Sequence, residues 1–180
     1  PSDGGFLILS EEEKTELLTK EPIAERYIKK FMMGYEFINR VPRYCLWLVG
    51  ISPAELRSMP LVSNRVDQCK KARLASPDAG RRRLADTPTL FREQINPDSF
   101  VVVPKVSSER RRYIPMGYLD SNTIAGDKLF VIPIAQKYHF GILISNVHMS
   151  WMRAIGGRLK SDYSYSINVI YNNFPWPGLF

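Results

Sequence analysis

The chain has 180 residues, of which 44% are hydrophobic and 24% are charged. This composition excludes a disordered segment and suits one domain with its own core. The formal net charge of +7 favours a polyanionic partner, namely nucleic acid or an acidic membrane surface. No apolar stretch approaches the roughly 20 residues that span a bilayer, so we expect a cytoplasmic protein without a membrane partner.

The first half of the chain predicts short strands alternating with helices. Residues 6–9 (FLIL) predict a strand, and Ser10 with Glu13 forms a capping box that opens a helix. A second helix is expected from Pro22, because Ile23, Tyr27, Ile28 and Phe31 share one face. Strands at 35–39 and 43–49, a short helix opened by 52–55 and a helix over 60–76 follow, the last with Val62, Val66 and Cys69 facing inward.

Strands dominate the second half. Residues 100–105, 113–119 and 128–134 are rich in β-branched and aromatic residues, and each run contains a proline, which is typical of edges, bulges or strand ends. One amphipathic helix is predicted from Tyr138 until Gly156–Gly157 stops it, with Phe140, Ile144, Val147, Trp151 and Ile155 on its apolar stripe. Residues 163–171 predict a last strand. These elements indicate a single α+β domain with a mixed or antiparallel sheet flanked by helices.

Motifs for catalysis or cofactor binding are missing from the sequence. There is no glycine-rich phosphate loop and no G-x-S-x-G elbow, and the EEE run at 11–13 fits a helix N-terminus better than a nuclease site. His139 and His148 lack metal-ligand spacing, and Cys45 and Cys69 suit buried, reduced thiols, with a disulfide or a reactive thiol as the alternative. We therefore expect no catalytic residue, cofactor or metal in this chain, although sequence alone leaves a Ser/His/Asp triad open.

Basic residues form two clusters that suit a nucleic-acid partner. Long cationic side chains and hydroxyl groups contact phosphates, an arginine can bind guanine, and a carboxylate can accept from cytosine. Glu109 lies among arginines and supplies the carboxylate. The alternative is a solvated loop in which Glu109 pairs with a neighbouring arginine for little energy. The candidates are Lys70, Lys71, Arg73, Arg81, Arg82 and Arg83 in the first cluster, and Lys105, Ser107, Ser108, Glu109, Arg110, Arg111 and Arg112 in the second.

Several separated segments resemble one known family. YEFINRVPRYCLWL, PKVSSERRRYIPMGY, FGILISNVHMSWMRAIGGRLKSDYSYS and YNNFPWP are similar, in this order, to the target-recognition domain of type IIL, MmeI-like restriction-modification enzymes. The resemblance implies that residues 1–180 recognise double-stranded DNA for a covalently linked adenine-N6 methyltransferase and nuclease. S-adenosylmethionine and a divalent metal would then belong to those other domains. The chain does not begin with Met, and we expect it to be a segment of such a longer bacterial polypeptide.

The helix before Gly156 holds further candidates. Arg153 could contact DNA, and Arg158 and Lys160 could continue a phosphate track or form one solvated helix end. We expect Trp151 to lie in the core and His148 to be structural, with a DNA contact as the alternative for each. A stand-alone RNA- or single-strand-binding protein and a small enzyme with an unrecognised site remain the competing functions.

Overall fold

In a computed structural model, residues 2–133 and 136–178 are described. They form two compact units. The first contains the described residues of Pro1–Phe31 and Val41–Ile95, and the second contains those of Met32–Arg40 and Asn96–Phe180. Both units combine helices with antiparallel strands, which confirms the expected mixed α/β class.

The first unit packs helices on a small antiparallel sheet. Strand β3 (Tyr44–Leu46) lies between β1 (Ile8–Leu9) and β2 (Ile28–Met32), with Ile8 opposite Cys45 and Ile28 opposite Leu46. A 3₁₀ turn spans Pro22–Tyr27, and a second spans Leu84–Asp86. The regular elements of this unit are β1 (Ile8–Leu9), α1 (Glu11–Lys20), β2 (Ile28–Met32), β3 (Tyr44–Leu46), α3 (Pro53–Arg57), α4 (Pro60–Leu74) and α5 (Ala79–Arg83), and α2 belongs to the second unit.

Carboxylates fix the helix starts of the first unit. The predicted capping box is confirmed, because Ser10 Oγ accepts the Glu13 N–H at 3.1 Å and the Glu13 carboxylate accepts the Ser10 N–H at 2.9 Å. Glu21 caps α4 from 40 residues away by accepting the N–H groups of Leu61 and Val62. Helix α4 therefore starts at a fixed place, and its buried face is the predicted one: Val62, Val66 and Cys69.

The second unit contains two three-stranded antiparallel sheets. Their strand orders are β6-β4-β8 and β5-β10-β9. A single π-helical turn spans Ile167–Tyr171. The other elements are α2 (Gly34–Asn39), β4 (Ser99–Pro104), β5 (Val106–Ser107), β6 (Gly117–Asp120), β7 (Thr123–Ala125), β8 (Leu129–Pro133), α6 (Lys137–Leu143), α7 (Asn146–Ile155), β9 (Gly157–Leu159) and β10 (Asp162–Ser164).

Strand β4 is buried on both of its faces. Val101 and Val103 pack into one hydrophobic cluster, and Phe100 and Val102 pack into another. Successive side chains of a strand point to opposite faces, so an uninterrupted apolar run is what a doubly covered strand requires. The prolines end strands as expected, since Pro104 and Pro133 are the last residues of β4 and β8.

One prediction in the region of residues 22–39 is confirmed only in part, and another is wrong. A helix begins at Pro22, but it is a six-residue 3₁₀-helix that ends at Tyr27, and Ile28 and Phe31 lie in strand β2. Residues 35–39, predicted as a strand, lie in helix α2. In α2 the Glu36 carboxylate accepts the Met33 N–H at 3.1 Å, and Arg40 ends the helix at φ 56°. This local capping outweighs the weak β propensity of the aromatic and branched residues.

The C-terminal helix and strand are also shorter than predicted. Ser145 Oγ accepts the His148 N–H, which starts a new helix and divides the expected one into α6 and α7. Val147 is consequently 70% exposed instead of lying on an apolar stripe. Ser166 likewise caps the π turn, so the predicted strand over 163–171 ends at Ser164. The strand predicted over 113–119 begins only at Gly117.

The cysteines confirm their predicted state. Cys45 and Cys69 are buried and free. Burial raises the pKa of the Cys45 thiol to about 12 and that of the Cys69 thiol to about 11. Since the thiolate is the reactive form, burial makes both thiols poor nucleophiles at neutral pH.

Candidate nucleic-acid interface

Residues 108–112, which we call the arginine loop, follow strand β5 in the second unit. The loop makes a turn in which the Arg111 N–H donates to the Ser108 carbonyl at 3.1 Å. The predicted strand does not start directly after it, because Tyr113–Met116 lead to β6 in irregular conformation. The three arginines and Glu109 are therefore on a surface loop.

The main chain of the arginine loop is held at both ends. The Glu109 N–H donates to Asp162 Oδ1 on β10 at 3.3 Å, and Arg153 Nη2 on α7 donates to the Arg112 carbonyl at 3.2 Å. The Tyr113 hydroxyl, directly after the loop, donates to Asn146 Oδ1 at 2.7 Å. These bonds orient the loop before any ligand binds, which lowers the entropic cost of association.

Two arginine side chains of the loop, in contrast, make no such bonds. In the described part of the chain, the guanidinium groups of Arg110 and Arg111 have no hydrogen-bond or ion-pair partner. Glu109 Oε2 lies 4.0 Å from Arg158 Nη1, and the two side chains are 49% and 44% exposed. Such a surface pair contributes little energy, so the carboxylate can exchange it for another donor.

Ser107 is a correction to the predicted set. It is buried, and its hydroxyl Oγ has no hydrogen-bond partner among residues 2–133 and 136–178. Ser107 lies opposite the buried Tyr163 in the strand register, so its side chain belongs to the inner face of the sheet. A phosphate cannot contact it there, whereas Ser108 is half-buried and stays a candidate. Lys105, whose Nζ lies 4.7 Å from the Phe130 ring centroid, also stays a candidate.

The other basic cluster lies in the first unit, on α4 and α5. Lys70, Lys71 and Arg83 are exposed. Arg82 Nη1 donates to the carbonyls of Ser76 and Pro77, and Arg81 Nε donates to the Ser2 carbonyl. The contact of these residues with DNA remains a prediction.

Arg73 does not belong to that cluster, and its predicted DNA contact is wrong. Its side chain has no exposed surface. The guanidinium donates to four carbonyl oxygens, those of Ser2, Leu84, Thr87 and Leu90, at 2.7–3.2 Å. Arg73 therefore joins α4 to the segment that follows α5, and it is a structural residue.

The hairpin of β9 and β10, residues 157–164, was missed by sequence reasoning. Arg158 lies 4.1 Å from the Tyr163 ring centroid and donates to the Ser161 carbonyl, which places it next to Glu109. Arg153 Nε reaches the Tyr163 hydroxyl at 3.3 Å, so the arginine predicted to bind DNA also supports the loop.

His148 and Trp151 have the structural positions that we expected. His148 is buried, and its Nε2 lies 2.9 Å from the Tyr165 hydroxyl. Burial lowers the pKa of His148 to about 4, because desolvation disfavours the charged imidazolium. Among the described residues, its Nδ1 has no hydrogen-bond partner. Trp151 is half-buried against the same core and donates its Nε1–H to the Ile170 carbonyl at 3.0 Å.

The described residues offer no grouped metal ligands and no membrane-spanning helix. Among residues 2–133 and 136–178, no three His, Cys, Asp or Glu side chains are grouped to hold a metal ion. The helices of this described part are all too short or too polar to cross a membrane. A cavity of about 400 Å³ lies beside β5, with Lys105, Lys128 and Tyr35 in its lining.

Comparisons with known proteins show which family the chain resembles in sequence and in fold. The model of the family described as "MmeI, target recognition domain" matches residues 1–178. A Bacillus subtilis (strain 168) protein named DNA methyltransferase A is 44% identical over 180 residues, which are 99% of this chain and 20% of that protein. The solved structure of the type IIL restriction-modification enzyme MmeI in complex with DNA matches with a TM-score of 0.94 and 42% identity, over 99% of this chain and 24% of that chain.

The fold is thus that of a target recognition domain. The chain belongs to the MmeI target recognition domain family, which confirms the resemblance found in the sequence. It spans about a fifth of the length of the curated relative and about a quarter of the solved MmeI chain.

Proposed function

We propose that this chain recognises a specific sequence in double-stranded DNA. The observation that carries the proposal is the arginine loop, whose main chain is fixed while the guanidinium groups of Arg110 and Arg111 have no partner in the described residues. Guanidinium donors without protein partners, on a loop with a fixed main chain, suit a ligand that supplies acceptors. The net charge of +7 further favours a polyanion.

Glu109 gives the loop a means of selecting bases. An arginine can donate two hydrogen bonds to guanine O6 and N7 in the major groove, and a carboxylate can accept one from cytosine N4. A carboxylate repels phosphates, so its presence among arginines is unfavourable for unspecific backbone binding. Its weak contact with Arg158 leaves it available for a base.

The recognised sequence would direct reactions in the rest of a longer polypeptide. We propose that this polypeptide carries an adenine-N6 methyltransferase, with S-adenosylmethionine as its cofactor, and a nuclease with a divalent metal. The support is the names of the relatives, a DNA methyltransferase and a type IIL restriction-modification enzyme bound to DNA. Because its substrate would be DNA, this longer polypeptide would act in the bacterial cytoplasm. The present chain would contribute no catalytic residue.

A comparison of nucleic acids tests the proposal. The full-length polypeptide is titrated with a library of duplex DNA, with the corresponding single strands and with RNA, at several salt concentrations. We expect one duplex sequence to bind at least a thousandfold more tightly than random duplex. Equal binding of duplex and single strands, or tighter binding of RNA, would contradict recognition of double-stranded DNA.

A further inference from the structure

The β9–β10 hairpin presents one exposed apolar side chain beside the arginine loop. Leu159, the last residue of β9, is 58% exposed. A single exposed leucine needs no function by itself. Leu159 differs because its hairpin carries Asp162 and Arg158, which contact Glu109, and because the exposed Lys160 follows it.

The register of the hairpin shows which face carries Leu159. It is paired with Asp162, and Arg158 is paired with Tyr163. Tyr163 is buried, so it marks the inner face, whereas Asp162 is half-buried and belongs to the opposite one. Because paired residues of antiparallel strands point to the same side, Leu159 shares the outer face with Asp162.

Asp162 also connects Leu159 to Glu109. Its carboxylate accepts the Glu109 N–H at 3.3 Å. Directly paired residues have Cβ atoms about 5 Å apart, so Leu159 lies within about 10 Å of the Glu109 backbone. Base pairs are stacked about 3.4 Å apart, and this separation therefore corresponds to about three base pairs.

Lys160 lies in the two-residue turn between β9 and β10, directly after Leu159. Its φ is 57°, as the favoured turns of two-residue hairpins require at the first central residue. Its exposed ammonium group, next to Leu159, suits a phosphate.

We infer that Leu159 determines specificity by contacting the C5-methyl group of a thymine in the major groove. That methyl is the apolar feature of the groove, and leucine has no polar group with which to bind any other base edge. The thymine would lie within about three base pairs of the one that Glu109 contacts. The inference rests on the proposed function, because it requires the arginine loop to enter the groove.

Deoxyuridine, which lacks only the C5-methyl group, tests the contact. The full-length polypeptide is titrated with its recognition duplex and with duplexes in which each thymine, in the site and in three flanking base pairs, is replaced singly. We expect one replacement to weaken binding of the wild type about fourfold, the usual effect of one buried methyl-sized group. The same replacement should leave binding by Leu159→Ser unchanged.

Two variants make this test specific. Leu159→Met keeps an apolar side chain and should keep the deoxyuridine effect. Leu74→Ser alters a leucine that is 56% exposed in the other unit, and it should also keep the effect. Because Leu159 is exposed, all three variants should unfold at the wild-type temperature.

The inference and the proposed function fail in different ways. If the wild type binds its sequence selectively but no single deoxyuridine weakens it, or if Leu159→Ser shows the same deoxyuridine profile, the inference is overturned and the proposed function stands. If the wild type does not distinguish its sequence from random duplex, the proposed function fails and the inference fails with it.

Discussion

The backbone N–H of Glu109 donates to the carboxylate of Asp162 at 3.3 Å, across 53 residues of sequence. This bond joins the arginine loop to the β9–β10 hairpin, so the residues proposed to contact bases share one support. It also predicts that Asp162 influences DNA selection without contacting a base.

Asp162→Ala should therefore reduce discrimination between cognate and random duplex about fivefold, the effect of losing one hydrogen bond worth about 1 kcal/mol. Asp162→Asn is the matched control, because its amide oxygen can still accept the Glu109 N–H while the charge is removed as in alanine. Titrations of both variants against the two duplexes measure the effect. Equal discrimination by Ala and Asn would show that the bond does not orient the loop.

Arg73 and Arg83 should differ in their effect on stability, although both are arginines in the last turn of a helix, Arg73 in α4 and Arg83 in α5. Arg73→Met leaves buried carbonyl oxygens without donors, and we expect it to lower the free energy of unfolding by at least about 3 kcal/mol. Arg83→Met, at an exposed position, should change it by less than about 0.5 kcal/mol. Urea titrations compare the two. An Arg73→Met variant with wild-type stability and weaker DNA binding would restore the original prediction.

Acid should destabilise the protein through His148. The pKa of about 4 in the folded state lies below the ordinary 6.5, so the unfolded state takes up a proton first as the pH falls. The contribution of neutral His148 to the free energy of unfolding is complete above about pH 6.5. It amounts to up to about 3 kcal/mol and is lost as the pH falls from about 6.5 to about 4. Burial raises the pKa of Tyr165, so its hydroxyl keeps its proton throughout this range.

Unfolding free energies at pH 7 and pH 5 measure this effect. His148→Gln, which cannot titrate, should lose about 2 kcal/mol less over this interval than the wild type. The same pH dependence in His148→Gln and wild type would show that His148 is protonated equally in both states.

Trp151→Ala should lower the free energy of unfolding by about 3 kcal/mol, at the low end for a tryptophan because the indole is only half-buried. The loss includes the bond to the Ile170 carbonyl and the edge contact with Phe174. Thermal and urea unfolding measure it. A variant with an unchanged melting temperature but without DNA binding would instead make Trp151 a contact residue.

Sequence reasoning succeeded where the determining residues are close together. The capping boxes of α1 and α3 require a serine and a glutamate three residues apart, and the inward face of α4 repeats every three or four residues. Sequence reasoning failed for residues 35–39, because aromatic residues are compatible with a strand and also with a helix whose start is capped.

The burial of charged residues was harder to predict from the sequence than the helices and strands. The sequence places Arg73 in a basic run, but its hydrogen-bond partners include Leu84 and Leu90, which lie 11 and 17 residues away, and Ser2, 71 residues away. The hairpin at 157–164 similarly depends on pairing with β5, about 50 residues earlier. Only the folded structure therefore assigns Arg73 to the core and Arg158 to the surface beside Glu109.

The most direct test of DNA sequence recognition is a map of methylated sites for bacteria that express the full-length polypeptide with and without Glu109→Gln. We predict that the variant relaxes or switches the methylated sequence at one position, most readily a cytosine, at a cost of about 1–3 kcal/mol for the original base. Its affinity for random duplex should be equal or higher, because one repulsive charge is lost. Glu25→Gln, at an exposed carboxylate of the first unit, is the control that should leave the methylated sequence unchanged. An unchanged methylated sequence together with unchanged affinity in Glu109→Gln would contradict the account and make the arginine loop a solvated surface loop.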